Sequence, residues 1–154
     1  MRESARAVLI NSENILVIFR RRMINGLPHE YYAFPGGGIE NGETSDDCVV
    51  RELREETGII ATCERLFAVV TSHDSRQYIY ICTLQGGNVG EGYGEELLKY
   101  SREEYQPMYV TLDQLAKIDN LISSLGLYHK LEDYLLSSNS SSLPEYIFVA
   151  GNLL

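Results

Sequence analysis

The chain has 154 residues, 44% hydrophobic and 23% charged, which is enough for one hydrophobic core and too little for two comfortable domains. Its formal charge of −9 argues against binding along a nucleic acid polymer, which depends on lysine and arginine surfaces. No apolar run approaches the roughly 18 residues of a membrane span, no secretory segment is recognisable, and three scattered cysteines fit a reducing compartment. We therefore expect a single cytoplasmic domain over residues 1–154.

The first part of the chain predicts a hairpin and then a loop. Two apolar runs, Ser4–Asn11 and Ile15–Arg20, flank a cluster of turn-forming residues and predict antiparallel strands. Arg21–Glu30 contains Asn-Gly-Leu-Pro and predicts a loop, and Tyr31–Phe34 predicts a short extended piece that ends at a proline. The glycines of Gly36–Gly38 then allow the backbone to turn tightly and approach a ligand closely.

A helix is predicted over Ser45–Thr57. Thr44 or Ser45 can cap its first turn, which carries two aspartates at the positive end of the helix dipole. Gly58 is well placed to end the helix in the left-handed conformation. Helical spacing predicts an inward side that carries Val49, Val50, Leu53 and Thr57.

The segment after the helix predicts strands and one long loop. Ile59–Ile60, Leu66–Thr71 and Gln77–Leu84 predict strands, and the last is the strongest because β-branched and aromatic residues fill it. Val89–Tyr105 predicts a long acidic loop, a length that usually indicates function or mobility in a compact domain. Gln106–Thr111 returns to a predicted strand.

The end of the chain predicts two helices, a linker and a last strand. The helices are expected over Leu112–Ile118 and Leu121–Leu136. The serine-rich stretch Ser137–Ser142 predicts a linker to a strand-like tail, Tyr146–Ala150. Because strands and helices interleave irregularly, we expect an α/β fold with a mixed sheet.

Three carboxylates stand at positions i, i+3 and i+4 of the first predicted helix: Glu52, Glu55 and Glu56. At this spacing they converge within one turn, where like charges repel each other. A bound divalent cation converts that repulsion into ligation by hard oxygen donors. Magnesium is usually held by a few carboxylates together with substrate phosphates, so this open helical face predicts a metal site that a phosphate compound completes.

These glutamates belong to a longer pattern. Residues Gly37 to Ile59 read Gly-x5-Glu-x7-Arg-Glu-Leu-x-Glu-Glu-x-Gly-Ile, directly after Phe-Pro-Gly. The stretch resembles the Nudix box of the Nudix hydrolase superfamily, MutT-like enzymes, at every defining position. The resemblance implies an α/β/α sandwich with a mixed β-sheet and a Mg²⁺ or Mn²⁺ cofactor. It also implies hydrolysis of the pyrophosphate bond in a small molecule, a nucleoside diphosphate linked to another group X.

The resemblance further implies a metal-binding set. Glu55 and Glu56 would be the principal ligands, with the carbonyl oxygen of Gly37 as a backbone ligand. Glu52 would be a further ligand or the general base, since both roles occur in the family. Related sequences place another acid ahead of a later strand, and Glu103 is our choice within the acidic loop; the alternative is that no acid of this loop binds metal.

Other residues are candidates for orienting and binding the substrate. Arg51 stands one residue off the acidic face, so we assign it to orienting a carboxylate, with Glu43 as the candidate, rather than to touching phosphate. Arg20 and Arg21 follow a predicted strand and could bind substrate phosphate, although a solvated strand end is an equal alternative. The remaining substrate-binding candidates are Phe34, Gly36 and Gly37.

Two other functions remain open on the sequence. A catalytically weak module of the same fold could sense a nucleotide without cleaving it, but the intact glutamates argue against this. Isomerase chemistry on an isoprenoid diphosphate would need further cysteine and acidic partners. The clear marker residues of ADP-ribose, NADH and dinucleoside polyphosphate hydrolases are absent from their expected positions. The sequence therefore does not identify the group X of the substrate. A homodimer fits the resemblance, because many relatives are dimers.

Overall fold

The computed structural model describes residues 1–99, 104–111, 113–114, 133 and 147–150. Within these residues the chain forms eight strands and two helices of at least five residues. They are β1 (Arg2–Asn11), β2 (Asn14–Ile24), β3 (Leu27–Ala33), β4 (Gly36–Gly38), α1 (Ser45–Thr57), β5 (Ile59–Thr71), β6 (Ser75–Gly87), α2 (Glu95–Lys99), β7 (Tyr105–Thr111) and β8 (Ile147–Ala150). Neither helix is long and apolar enough to cross a membrane.

All of these strands join one mixed sheet. Its main path has the order β3-β2-β1-β6-β5-β8, while β4 pairs with β1 and β7 pairs with β2. β1 runs parallel to β6 and β5 parallel to β8, whereas the other pairs are antiparallel. The predicted α/β class with a mixed sheet is therefore confirmed.

The side chains of β1 alternate between two buried clusters, as the pleat of a strand requires. Ala5 and Leu9 pack on one face with Val49 and Leu53 of α1. Val8 belongs to the cluster on the opposite face. Helix α1 thus lies against the sheet through the apolar side that its spacing predicts, which leaves its glutamates along a different side.

Helix α1 begins and ends where the sequence predicts. The hydroxyl of Thr44 accepts a hydrogen bond from the Asp47 amide at 3.3 Å, which identifies Thr44 as the N-cap. Gly58 adopts φ +84° and donates its amide to the Arg54 carbonyl at 3.0 Å. These local contacts fix both ends of the helix and so the orientation of its acidic side.

The predicted loop Arg21–Glu30 is wrong. β2 continues through Ile24 and β3 starts at Leu27, so the two strands form a long antiparallel arm. Asn25 and Gly26 make its turn with φ +52° and +76°. Two positive φ values are the requirement of the tight hairpin turn for which Asn-Gly is the preferred pair.

The strands after α1 are longer than the sequence predicts. β5 joins the two predicted pieces into one strand, and its register with β6 shifts at three places: between Ile60 and Ala61, between Cys63 and Arg65, and between Leu66 and Ala68. Each irregularity interrupts the alternation of buried and exposed side chains, which explains why the sequence pattern breaks there. In the predicted loop Val89–Tyr105, the short helix α2 is present.

The predictions for the end of the chain fall partly on described residues and partly outside them. The strand expected over Tyr146–Ala150 is confirmed as β8, which pairs with β5. The helices expected over Leu112–Ile118 and Leu121–Leu136 lie outside the described residues except for three helical positions. The linker Ser137–Ser142 also lies outside the described residues, as does the second helical layer of the expected sandwich.

Candidate active site

The three glutamates of α1 differ in their exposure to solvent. Glu52 and Glu56 are only 8% and 5% exposed, whereas Glu55 is half-buried. Burial of a carboxylate is unfavourable unless hydrogen bonds or opposite charges compensate it. The groups around Glu52 and Glu56 therefore show how the cost of burying these two carboxylates is compensated.

Gly37 of β4 lies directly against the Glu52 carboxyl group. A β-carbon at Gly37 would lie 2.8 Å from the carboxyl carbon of Glu52, a separation that a real contact cannot have. β4 is held in this place by its antiparallel pairing with β1. The glycine segment and the acidic helix side, predicted to meet, are in contact through these two residues.

Arg51 binds Glu43 through two parallel hydrogen bonds. Its Nε donates to Oε1 at 2.7 Å and its Nη2 donates to Oε2 at 3.1 Å, the bidentate geometry that favours arginine over lysine. This hydrogen bonding is the main reason that the pKa of Glu43 lies below its ordinary value. Arg51 Nη2 also donates to the carbonyl of Gly38 at 3.2 Å, which ties the helix to the glycine segment.

The same guanidinium contacts two of the helix glutamates. Arg51 Nη1 donates to Glu52 Oε1 at 3.0 Å and to Glu55 Oε2 at 3.2 Å. The sequence places Arg51 one position off the acidic face, but its side chain is long enough to reach back across the turn. It therefore orients three carboxylates, Glu43, Glu52 and Glu55, and its contacts with Glu43 and Glu52 raise its own pKa.

Glu56 has the most strongly perturbed acidity in the cluster. Burial raises its pKa well above the ordinary value, and the neighbouring Glu52 raises it further. A hydrogen bond with Tyr105 and the positive charge of Arg6 act in the opposite direction. Burial also raises the pKa of Glu52, against the effect of Arg51. Negative charge in this part of the cluster is thus only partly compensated by the protein itself.

The chemistry of the cluster fits a hard divalent cation such as Mg²⁺ or Mn²⁺. The donors that the cluster offers are carboxylate oxygens, which such cations prefer, and the Gly37 residue lies against one of these carboxylates. Within the described part of the chain, no three Asp, Glu, His or Cys side chains already surround one point as ligands. Arg51 contacts one carboxylate oxygen of Glu52 and one of Glu55, and a carboxylate held through one oxygen can still bind a cation through the other.

A glycine-rich segment packs on the last turn of α1. The amides of Tyr93 and Gly94 both donate to the carbonyl of Glu55, at 2.9 and 2.8 Å. A β-carbon at Gly92 would lie 2.6 Å from the same carbonyl oxygen, so the close approach depends on glycine. The acidic loop therefore contacts the helix beside the glutamates, and the predicted ligand Glu103 lies outside the described residues.

The two candidate arginines of β2 lie on opposite faces of the arm. The guanidinium carbon of Arg20 lies 4.7 Å from the ring centre of Tyr105, the tyrosine that shares a hydrogen bond with Glu56. Arg21 lies opposite Glu30 in the register, with 3.7 Å between their charged groups. Because successive side chains of a strand point to opposite faces, only Arg20 faces the side of the sheet that carries the glutamates.

Phe34 and Gly36 contact Arg6 of β1 and offer no side chain to a substrate. Phe34 is buried in the core, so it offers no exposed ring to a substrate, and its carbonyl accepts a hydrogen bond from Arg6 at 2.8 Å. A β-carbon at Gly36 would lie 2.7 Å from the Cα of Arg6. Sequence reasoning missed both Arg6 and Tyr105, because they reach Glu56 only through strand pairings that no local pattern reveals.

Comparison with known proteins gives a family match over most of the chain. A family model described as the NUDIX domain matches residues 1–130. An ADP-ribose pyrophosphatase of Methanocaldococcus jannaschii is 32% identical over 90 residues, which are 54% of this chain and 52% of that protein. An 8-oxo-dGTP diphosphatase of Escherichia coli is 45% identical over 51 residues, which are 33% of this chain and 40% of that protein. The matches span about half of these relatives or less.

Solved structures share the fold at low sequence identity. An ADP-ribose pyrophosphatase from Streptococcus suis superposes with a TM-score of 0.66 at 19% identity and covers 96% of this chain and 98% of its own. A NUDIX hydrolase from Nitrosomonas europaea gives 0.70 at 15% identity, with coverage of 99% and 79%. The fold of this chain is therefore the one that these solved structures have.

Proposed function

Since the chain belongs to the NUDIX hydrolase family, we propose that it hydrolyses the pyrophosphate bond of a nucleoside diphosphate linked to another group. The observation that carries this proposal is the cluster on α1, in which Glu52 and Glu56 are buried beside Gly37 and Arg51 orients Glu52 and Glu55. A surface helix without a chemical role would have no need to bury two carboxylates of the same turn.

The side chains divide into ligands and a base. Glu55, Glu56 and the Gly37 carbonyl would hold Mg²⁺ or Mn²⁺, which neutralises phosphate charge and lowers the pKa of a bound water. Glu52 is our candidate general base, because burial raises its pKa while Arg51 and Gly37 fix the position of its carboxylate.

The reaction is an attack of water on phosphorus. Glu52 accepts one proton of the water, the remaining hydroxide forms a bond to phosphorus, and the bridging P–O bond breaks toward the other phosphate. The products are a nucleoside monophosphate and a phosphorylated remainder. Arg20, which faces the cluster across Tyr105, would bind a phosphate oxygen of the substrate.

The names of the relatives suggest the first substrates to test. ADP-ribose and 8-oxo-dGTP come first, because relatives are named for activity on them. Nucleotide sugars, dinucleotides and nucleoside triphosphates complete the panel. We keep as proposals that the substrate is a small molecule rather than a nucleic acid polymer, that residues 1–154 form one domain, and that the protein forms a homodimer.

The test is release of nucleoside monophosphate with Mg²⁺ or Mn²⁺. Glu55→Gln and Glu56→Gln should each lower kcat/KM by about 100-fold or more. Asp47→Asn is the matched control, because Asp47 is an exposed acid on the first turn of the same helix. It should retain nearly full activity.

The two arginines of the arm provide a second matched pair. Arg20→Ala should raise KM, whereas Arg21→Ala, its neighbour on the other face, should leave KM nearly unchanged. A folded protein that turned over no member of the panel with either metal would contradict the hydrolase proposal. Tight binding of a nucleotide that stays intact over hours would instead favour the sensing module.

A further inference from the structure

Cys63 and Cys82 face each other across β5 and β6. Their Sγ atoms lie 3.7 Å apart, and the two residues are direct partners in the antiparallel register. Partners of this kind have Cα atoms about 4.5 to 5.5 Å apart, within the range of about 4.4 to 6.8 Å that disulfides span. Rotation of the side chains is therefore enough to bring the two sulfur atoms to bonding distance.

The two cysteines differ in access to solvent. Cys63 is half-buried, and Cys82 is 1% exposed. A small oxidant in solution can therefore reach the sulfur of Cys63 first. Contact with Cys63 and burial both raise the pKa of the Cys82 thiol, so Cys82 stays protonated and does not react with the oxidant itself. It reacts only after oxidation has made the sulfur of Cys63 electrophilic.

The third cysteine lies on helix α1 rather than on the two facing strands. Cys48 is fully buried on α1, and its Sγ lies 3.6 and 3.5 Å from the carbonyl oxygens of Gly37 and Gly38. It therefore belongs to the packing of the candidate active site. Cys63 and Cys82 pack in the same buried cluster as Cys48, and the thiol of Cys63 donates weakly to the Asp46 carbonyl at 3.6 Å. Cys48 is thus an internal control for any reaction of the pair.

We propose that Cys63 and Cys82 are a redox modification site, which forms a reversible intramolecular disulfide when the protein meets a peroxide. The Cys63 thiolate attacks one oxygen of hydrogen peroxide, the O–O bond breaks, and the hydroxide released takes up a proton to become water. Cys63 is then a sulfenic acid.

Cys82 completes the reaction. Its sulfur attacks the sulfenic sulfur of Cys63, the S–O bond breaks, and the departing hydroxide leaves as water with the proton of the Cys82 thiol. In total, two thiols and one peroxide give one disulfide and two waters. A small-molecule thiol restores both cysteines by thiol–disulfide exchange.

Thiol mapping of the whole folded protein tests the proposal. The reduced protein is treated with hydrogen peroxide, quenched, unfolded and alkylated, and its mass is compared with that of an untreated sample. We expect one alkylated cysteine, Cys48, in place of three, and a peptide cross-link between Cys63 and Cys82. Dithiothreitol should restore three alkylated cysteines.

Serine variants test the order of the two steps. Cys48→Ser should still form the bond, and Cys63→Ser should not form it. Cys82→Ser should accumulate a Cys63 sulfenic acid, which dimedone traps. Near-UV circular dichroism reports whether each variant is folded, and the mapping of the unmutated protein remains decisive if one is not.

Several results would overturn the proposal. They are three alkylatable cysteines after peroxide treatment, a cross-link that contains Cys48, or a disulfide that joins two chains. A dimedone adduct on Cys82 rather than on Cys63 would overturn the assigned order. Because the readout is covalent chemistry at the sheet, it is separate from any failure of the proposed hydrolase activity.

Discussion

Replacement of Arg51 by lysine should destabilise the protein even though the positive charge remains. The guanidinium makes hydrogen bonds to Glu43, Glu52 and Glu55 in three directions, which one ammonium nitrogen cannot reproduce. A hydrogen bond to a charged group contributes about 1.5 to 3 kcal/mol. The side chain is 24% exposed and its bonds are not additive, so we expect a loss of about 2 kcal/mol for Arg51→Lys. Arg51→Met leaves the carboxylates without a cation and should cost about 3 to 4 kcal/mol.

Urea unfolding at neutral pH without divalent cations measures these losses. The unfolding midpoint should fall at an unchanged m value, which assigns the change to stability. A double-mutant cycle of Arg51→Met with Glu43→Gln should give a coupling energy of about 1 to 2 kcal/mol. Arg54→Lys, an exposed arginine on the same helix, is the control and should change stability by less than about 0.5 kcal/mol.

The dependence on pH gives a second check of the same pair. The pKa of Glu43 is lowered in the folded protein, so its stabilising contribution is present above the unfolded value of 4.5 and is lost as pH falls through the lower folded value. The difference in stability between the unmutated protein and Arg51→Met should therefore shrink on acidification below this value. An Arg51→Lys loss equal to that of Arg54→Lys, or a coupling below about 0.3 kcal/mol, would refute the reasoning.

Three further changes separate stability from function. Glu56→Gln should stabilise the cation-free protein at pH 8 by about 0.5 to 2 kcal/mol, because a pKa raised by burial means that the charged form is unfavourable there; lower stability in urea would contradict this. Gly37→Ala should lower kcat and cost about 1 to 3 kcal/mol of stability, because the added carbon displaces the Glu52 carboxylate from the position in which Arg51 holds it; unchanged kcat would count against that contact. Gly58→Ala should cost about 2 kcal/mol or more, since the φ of +84° is strained for alanine and the Asn88 carbonyl leaves no space. Gly42→Ala is its control in calorimetry, because Gly42 has φ +80° with open space around it, and equal losses for the two would show that the clash is irrelevant.

Helix α1 could be predicted to the residue because its determinants are local. Thr44 supplies the capping oxygen, Gly58 supplies the left-handed end, and the apolar positions between them have helical spacing. The three glutamates follow from this, because their separation on a helix of known ends fixes which side they share. The acidic side of the helix could therefore be predicted from the sequence without any tertiary contact.

The arm of β2 and β3 was missed although its turn also has a local signal. Asn25-Gly26 is the preferred pair for a two-residue hairpin turn, but the residues on either side of it do not alternate between apolar and polar as a half-buried strand would. The arm extends beyond the core, so Met23, Ile24 and Leu27 are exposed at its tip and give no amphipathic pattern. Turn chemistry was the better guide here than hydrophobic periodicity.

The contact between Tyr105 and Glu56 depends on pairing between distant strands. Tyr105 lies opposite Arg20 in the register of β7 with β2, and this pairing brings both residues to the acidic side of α1. No spacing within either segment encodes that meeting, since strand order is decided by the whole sheet. The identity of the residues around the glutamates therefore had to come from the structure.

One helix and the turn before it hold carboxylates whose acidities are shifted in opposite directions. Arg51 lowers the pKa of Glu43, while burial raises the pKa of Glu52 and Glu56. A single guanidinium cannot compensate every charge, and Arg51 makes its two-bond contact with Glu43, whereas Glu52 and Glu55 each receive one hydrogen bond. Glu43 is thus fixed as a structural anchor, and the charge left uncompensated is concentrated on Glu52 and Glu56, the two residues to which the proposed hydrolysis assigns proton transfer and cation binding.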